Sequence, residues 1–354
     1  MHSLSNSVVG QKVNFENDHE QAPKGFENAQ NLLREKIHSC VISTVQKIAE
    51  DYEKRLQGYE NNVECLNGGI WMPNAYFKAL DEKKKITRLK YMVSKNYFDH
   101  FYSKDFEAIP SADAIHKTGF VKYQIRIKKG VSPSEALKSA QRGPTLVDCA
   151  TVCQIGQYQA LLEVLGEEKF NYLFGHETGS PLVLCSYAID NPLMPFLRQY
   201  TIKNSEKWPI NEVNLEKGWR VVFNNVSKYN IKHGMRGDAV SFNVICFDTT
   251  VDKEKFIGFG LGGKEVTEEQ IEQALINEYN AQPITEKLSA DHEGNNCNSE
   301  DIITLESAKK DPHFGFDSNL RLDLNIDLIQ ELSTISKEDF TIEKIKAIIQ
   351  RFNS

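Results

Sequence analysis

No apolar run in this chain approaches the ~18 residues of a membrane-spanning helix. The opening stretch MHSLSNSVVGQKVNFEND has no apolar h-region, so a standard secretory leader is not expected. There is no basic surplus: 42 Lys and Arg face 49 Asp and Glu, a formal net charge of −7, which argues against nucleic acid as the primary partner. Cysteines are few. Cys40, Cys65, Cys149, Cys153, Cys185, Cys246 and Cys297 are odd in number and widely spaced, and several sit in apolar runs. That pattern fits reduced thiols in a cytosol-like compartment better than a disulfide frame. The expected location is cytoplasmic, or a host cytosol reached without a signal peptide. C-x-x-C, H-E-x-x-H and Walker A patterns are absent, so no metal, cofactor or nucleotide is called for.

With 354 residues, 40% hydrophobic and 26% charged, the chain has the make-up of a folded globular protein of about two domains, or one with additions. Residues 1–25 are polar and are expected to be poorly ordered. Leu32, Leu33, Ile37, Val41, Ile42, Val45 and Ile48 recur at helical spacing and predict one long helix over 26–57. Residues 73–102 read as helical again, with Lys83, Lys84 and Lys85 on a solvated face. In KYQIRIKK (122–129), apolar and polar residues alternate as in a half-buried strand. Ser132 and Ser134 around Pro133 offer an N-cap for a short helix.

Further on, the period shortens. PLVLCSY (181–187), WRVVF (219–223), SFNVICFD (241–248) and KFIGF (255–259) read as strands on short links, which favours antiparallel pairing. Thr267 and Gln270 form a capping box for the next helix. A polar linker at 289–300 precedes a closing helix over about 340–352. The class is α+β, with a helix packed on an antiparallel sheet.

That helix carries the chemistry. In GPTLVDCATVCQIGQYQALLEVLGEEKFNYLF (143–174), Cys149 falls at a helix start, next to Asp148. The positive end of a helix dipole favours thiolate, which suits a nucleophile. Cys153 and Gly156, at i+4 and i+7, line the same face with small groups and leave room for a substrate. Cys153 itself reads as structural.

A base is harder to find. Histidine is the usual partner of a cysteine, and the candidates are His176 in GHETGS and His233 in KYNIKHGMRGD. Neither lies in a strand. Asp238 and Asp248 suit turn capping better than orienting a base. The run Gly258-Phe259-Gly260-Leu261-Gly262-Gly263 matches G-x-G-x-x-G, but Glu265, Glu268 and Glu269 would repel a pyrophosphate there. It reads as a tight strand-to-helix connection.

The segment from Lys122 through the Cys149 helix resembles the bacterial spore-coat type of protein-glutamine γ-glutamyltransferase, in its strand, Pro-Ser helix start, acid-Cys-Ala-Thr and apolar helix ending in Gly-Glu-Glu-Lys-Phe-Asn. A second block, VVFNN (221–225), FNVICFD (242–248) and KFIGFGLG (255–262), is also similar. The resemblance spans about residues 95–280. It implies a papain/transglutaminase-like core over 116–282, a helical region over 26–115, and a linker with a helical appendage over 283–354. It also implies a cysteine that attacks a glutamine carboxamide, releases ammonia and passes the acyl group to a lysine amine. The family's nucleophile falls on Cys149 and its acidic neighbour on Asp148. Its glutamate falls on Phe242 and its strand histidine on Phe259, and phenylalanine accepts no proton.

The expected activity is acyl transfer through Cys149 on a protein substrate, with His233 or Asp148 as base and helix-start amides as oxyanion donors. With water as acceptor the outcome is deamidation or proteolysis; with lysine it is transamidation. A bacterial effector would suit the flanking helical regions and the missing leader. The alternatives are a cysteine protease and a binding module that kept the fold and lost the base.

Overall fold

The computed structural model describes residues 24–61, 70–71, 105–110, 123–142, 145–146, 148–178, 180–184, 191–200, 209–233, 239–249, 254–281 and 301–353. The long helix is α1, Lys24–Asn61. Its stripe of Ile37, Val41, Ile42, Val45, Ile48 and Ala49 is buried. The strands β1 (Ile70–Trp71) and β2 (Phe106–Pro110) follow. The helix expected over 73–102 and the linker over 289–300 lie outside the described residues, as does nearly all of the polar N-terminal segment.

The alternation in KYQIRIKK gives β3, Tyr123–Ile127, antiparallel to β2. Next comes α2, Pro133–Arg142. Its Ser134 N–H donates to Asn171 Oδ1 at 2.8 Å, so an asparagine distant in sequence helps to cap this helix. β4 (Thr145–Leu146) pairs in parallel with β1. The cysteine helix, α3, is Cys149–Leu165. It stops at Gly166 and gives way to α4, Glu167–Phe174. β5 (Val183–Leu184) pairs antiparallel with β3 rather than joining the later strands. β2, β3 and β5 therefore form a small sheet of their own.

The main sheet is built from β6 (Leu197–Tyr200), β7 (Arg220–Asn224), β8 (Ser241–Asp248), β9 (Lys255–Gly258) and β10 (Val266–Thr267), with α5 (Tyr229–His233) between β7 and β8. After β10 the Thr267–Gln270 capping box opens α6, Glu268–Asn280. The C-terminal segment then adds α7 (Leu305–Ala308), β11 (Gly315–Phe316), β12 (Arg321–Leu324), α8 (Ile326–Thr334) and α9 (Ile342–Asn353). The strand order is β10-β9-β8-β7-β12-β6, with β11 also on β7, and the pairings are antiparallel.

Two expectations about boundaries change here. β12 lies between β7 and β6, so part of the 283–354 segment is an interior strand and not a helical appendage. Nor does α1, the described helix of the 26–115 region, form a separate layer, because it packs along α3 and over β8 and β9. The sequence hid both for the same reason. β12 reads Arg-Leu-Asp-Leu, which looks too charged for an interior strand, yet its Asp323 is buried against His38 of α1, with Nε2 and Oδ1 3.1 Å apart.

Helix α3 is held very close to α1. Lys36 pairs with Glu163 at 3.3 Å, while Val41 and Val45 meet Gly156, so the two helices run antiparallel. A Cβ on Gly156 would stand 2.9 Å from Val45 Cγ2 and 3.1 Å from the Val41 carbonyl oxygen. Glycine here admits a neighbouring backbone. The space beside Gly156 is thus filled by α1, which corrects the expectation of substrate room on that face.

Gly156→Ala tests this packing. An ordinary helix interior gains ~1 kcal/mol from Gly to Ala, whereas overpacking costs about 1–3 kcal/mol. The expected result by chemical denaturation is a net loss of stability, and a gain would show that the two helices are not in contact at this residue.

Candidate active site

The first turn of α3 fixes the sulfur. Asp148 is the N-cap, and its Oδ1 accepts the Thr151 N–H at 2.7 Å. Its carbonyl accepts the Val152 N–H at 3.1 Å. The N–H groups of Cys149 and Ala150, one or two residues into the helix, have no carbonyl partner within it.

Strand β8 supplies the other wall. Asn225 N–H donates to Val240 O and Cys246 N–H to Trp219 O, so the even-numbered residues of this segment turn their backbone groups toward β7. The odd-numbered ones face β9. Pairing with β9 extends only as far as Val244 opposite Gly258. Beyond that point Cys149 meets the strand's edge at Ser241 and Asn243. The Asn243 N–H donates to Sγ at 3.2 Å, and the thiol donates to Ser241 O at 3.6 Å. The Asn243 side chain adds a second donor, Nδ2, at 3.3 Å. Behind it stands Arg220 of β7, whose Nε donates to Asn243 Oδ1 at 2.9 Å and whose Nη2 donates to the same oxygen. Arg220 Nη1 reaches Leu320 O at 3.4 Å. All three side chains are buried.

Burial pushes the Cys149 thiol up to about 11, with the Asp148 charge adding to the rise. The two Asn243 hydrogen bonds and the Arg220 charge pull the other way and do not win. The expectation of a thiol lowered by the helix start is not met: desolvation of the thiolate outweighs the two Asn243 donors and the Arg220 charge. Cys153, one turn on, is wholly buried and is also pushed up by burial.

Of the residues singled out in the sequence, Cys149 and Asp148 meet here, but Asp148 acts as a helix cap. Its described hydrogen bonds go to the α3 backbone, and its charge disfavours the thiolate. His233 closes α5, and its side chain lies outside the described residues. His176 donates to Ile127 O at 2.8 Å and ties the turn after α4 to β3. Phe242 and Phe259 are both buried, and neither carries a proton acceptor. Asn243 and Arg220 were missed. The available signal was Asn243 itself, a lone amide in the middle of an apolar strand, two residues from Ser241 and hence on the same backbone edge.

The glycine run 258–263 turns from β9 toward β10. A Cβ on Gly263 would stand 3.0 Å from Glu50 Cα, so this turn lies directly on α1. Among the described residues no group of His, Cys, Asp or Glu is placed to hold a metal ion, and no helix is long and apolar enough to cross a membrane.

The model of the family described as TGL, protein-glutamine gamma-glutamyltransferase, matches residues 115–302. No curated protein sequence matches the chain. Among solved structures, the transglutaminase from Geobacillus stearothermophilus (without C-terminal extension) is similar over 87% of this chain and 98% of its own, with a TM-score of 0.45 and 14% identity.

Asp148→Asn separates a base from a cap. Asn caps a helix as well as Asp does, and it removes the charge that opposes the thiolate. The variant is expected to keep its stability and to alkylate at Cys149 faster than wild type with iodoacetamide. A loss of alkylation would make Asp148 the base.

Proposed function

The chain belongs to the protein-glutamine gamma-glutamyltransferase family, and from that premise we propose that Cys149 is the acyl carrier of a glutamine-directed acyl transfer limited by thiolate formation. The observation that carries this reading is the convergence of two N–H donors of Asn243 on the Cys149 sulfur at a helix start.

In this reaction the thiolate attacks the side-chain carboxamide carbon of a protein glutamine. The C–N bond breaks, a thioester forms, and ammonia leaves with the proton that the thiol gave up. A lysine amine, or water, then attacks the thioester and the thiol is restored. The N–H groups of Cys149 and Ala150 suit the transient oxyanion, at ~3 kcal/mol for each donor. No described residue stands as a base at the sulfur. With the thiol pushed up to about 11, only a small fraction of sites is ionised at neutral pH. Each further pH unit multiplies that fraction about tenfold until the thiol titrates.

A second reading is a protein-binding module without turnover. Phe242 and Phe259, at the positions where the family resemblance puts a glutamate and a histidine, favour it.

A glutamine-donor peptide offered with an amine, across neutral to alkaline pH, separates the two. Acyl transfer predicts a Cys149-linked thioester in the intact mass and ammonia release that climbs without a neutral plateau. Both vanish in Cys149→Ala. Peptide binding without thioester at any pH would leave the binding module standing.

A further inference from the structure

We infer that Arg220 is a positioning residue for Cys149: it holds the Asn243 carboxamide in the one orientation that presents a donor to the sulfur. The inference rests on the reading of Cys149 as the acyl carrier.

A buried asparagine side chain has two faces of opposite character, a carbonyl oxygen that accepts and an NH2 that donates. Turned one way, Asn243 offers Nδ2 to Sγ and favours the anion. Turned the other way, it offers Oδ1 to the thiol hydrogen and favours the neutral form. Nothing in the cysteine itself chooses, since a thiol donates and accepts weakly in either sense. Arg220 does choose. Its guanidinium has donors only, and two of them, Nε and Nη2, meet on Asn243 Oδ1. A flipped amide would set NH2 against guanidinium and leave buried donors unmade. Nδ2 is thereby directed at Sγ, 3.3 Å away.

The arginine is itself fixed. It opens β7 opposite Ile245 of β8 and Leu322 of β12, so strands on both sides hold its backbone. Its third nitrogen reaches the Leu320 carbonyl at 3.4 Å. The last contact ties the cysteine's surroundings to the C-terminal segment, because Leu320 immediately precedes β12. The positive charge also acts across the amide and favours the Cys149 thiolate. Arg220 therefore acts through Asn243 and does not touch the reacting atoms.

The test is a double-mutant cycle read by alkylation of Cys149 with iodoacetamide at about pH 9, below its midpoint, where the rate follows the thiolate fraction. Arg220→Met removes the donors and keeps most of the volume; Asn243→Leu removes the amide. Each is expected to slow alkylation about tenfold, the loss typical of a hydrogen bond to a charged group. The double variant is expected to be no slower than Asn243→Leu, because one effect runs through the other. Arg220→Lys, which keeps one donor, should restore part of the rate. It also carries the test if Arg220→Met does not fold: it should be slower than wild type with Asn243 present and without effect in the Asn243→Leu background. An alkylation rate in the Arg220 variants equal to wild type, or additive losses in the cycle, would overturn the inference. Alkylation needs no acyl substrate, so the two ideas fail separately. Slowed alkylation with no thioester in any protein would sink the acyl-carrier reading and leave the positioning role. Wild-type turnover with unchanged alkylation in the Arg220 variants would do the reverse.

Discussion

The sulfur of Cys149 completes the edge of a strand. β9 leaves β8 near Gly258, and past that point the Asn243 N–H and the Ser241 carbonyl meet the thiol. Much of the architecture serves that contact. α3 has to deliver its first residue to the sheet edge, so α1 clamps it from behind, close enough that only glycine fits at position 156. β7 has to sit beside β8 to bring Arg220 onto Asn243. β12 has to return from the C-terminal segment to flank β7 on its other side. The long N-terminal helix and the C-terminal strands are therefore parts of the site's frame, although both lie at or beyond the ends of the matched family segment, residues 115–302.

Electrostatics at the sulfur is a contest that burial wins. A helix start favours an anion by about 0.3–1 kcal/mol, or ~2 in a partly buried setting. Two N–H donors and a nearby guanidinium add to that. Against them stand the loss of water around a buried sulfur and the charge of Asp148 next to it. The balance leaves the thiol near 11. Asp148 shows how one residue serves structure at the cost of chemistry. As N-cap it is worth ~1 kcal/mol to the helix, while its charge works against the thiolate that the same helix would stabilise.

Much of the main sheet was legible in the sequence because its signals are local. The short apolar runs in SFNVICFD and WRVVF, and the Thr267–Gln270 box, each report on a few neighbouring residues. The place of Cys149 at a helix start was legible for the same reason, since a helix start is a local event. The rest was not. Whether Arg-Leu-Asp-Leu is an interior strand depends on His38, which lies 285 positions away from Asp323. Whether Gly156 leaves a hollow depends on Val41 and Val45 of another helix. The thiol's ionisation depends on how deeply the sheet buries it, and no spacing of residues encodes that. Asn243 was visible as an oddity in an apolar strand, but its role needed the register that sets it against Cys149.

The central claim is that Cys149 is a neutral, donor-held thiol at physiological pH. The most direct measurement is titration of its Cβ resonance in isotope-labelled protein, assigned by its loss in Cys149→Ala. The account predicts no ionisation through the neutral range and a midpoint near 11. A midpoint below the ~8.5 of a free cysteine would contradict it, and would mean that a base reaches the sulfur.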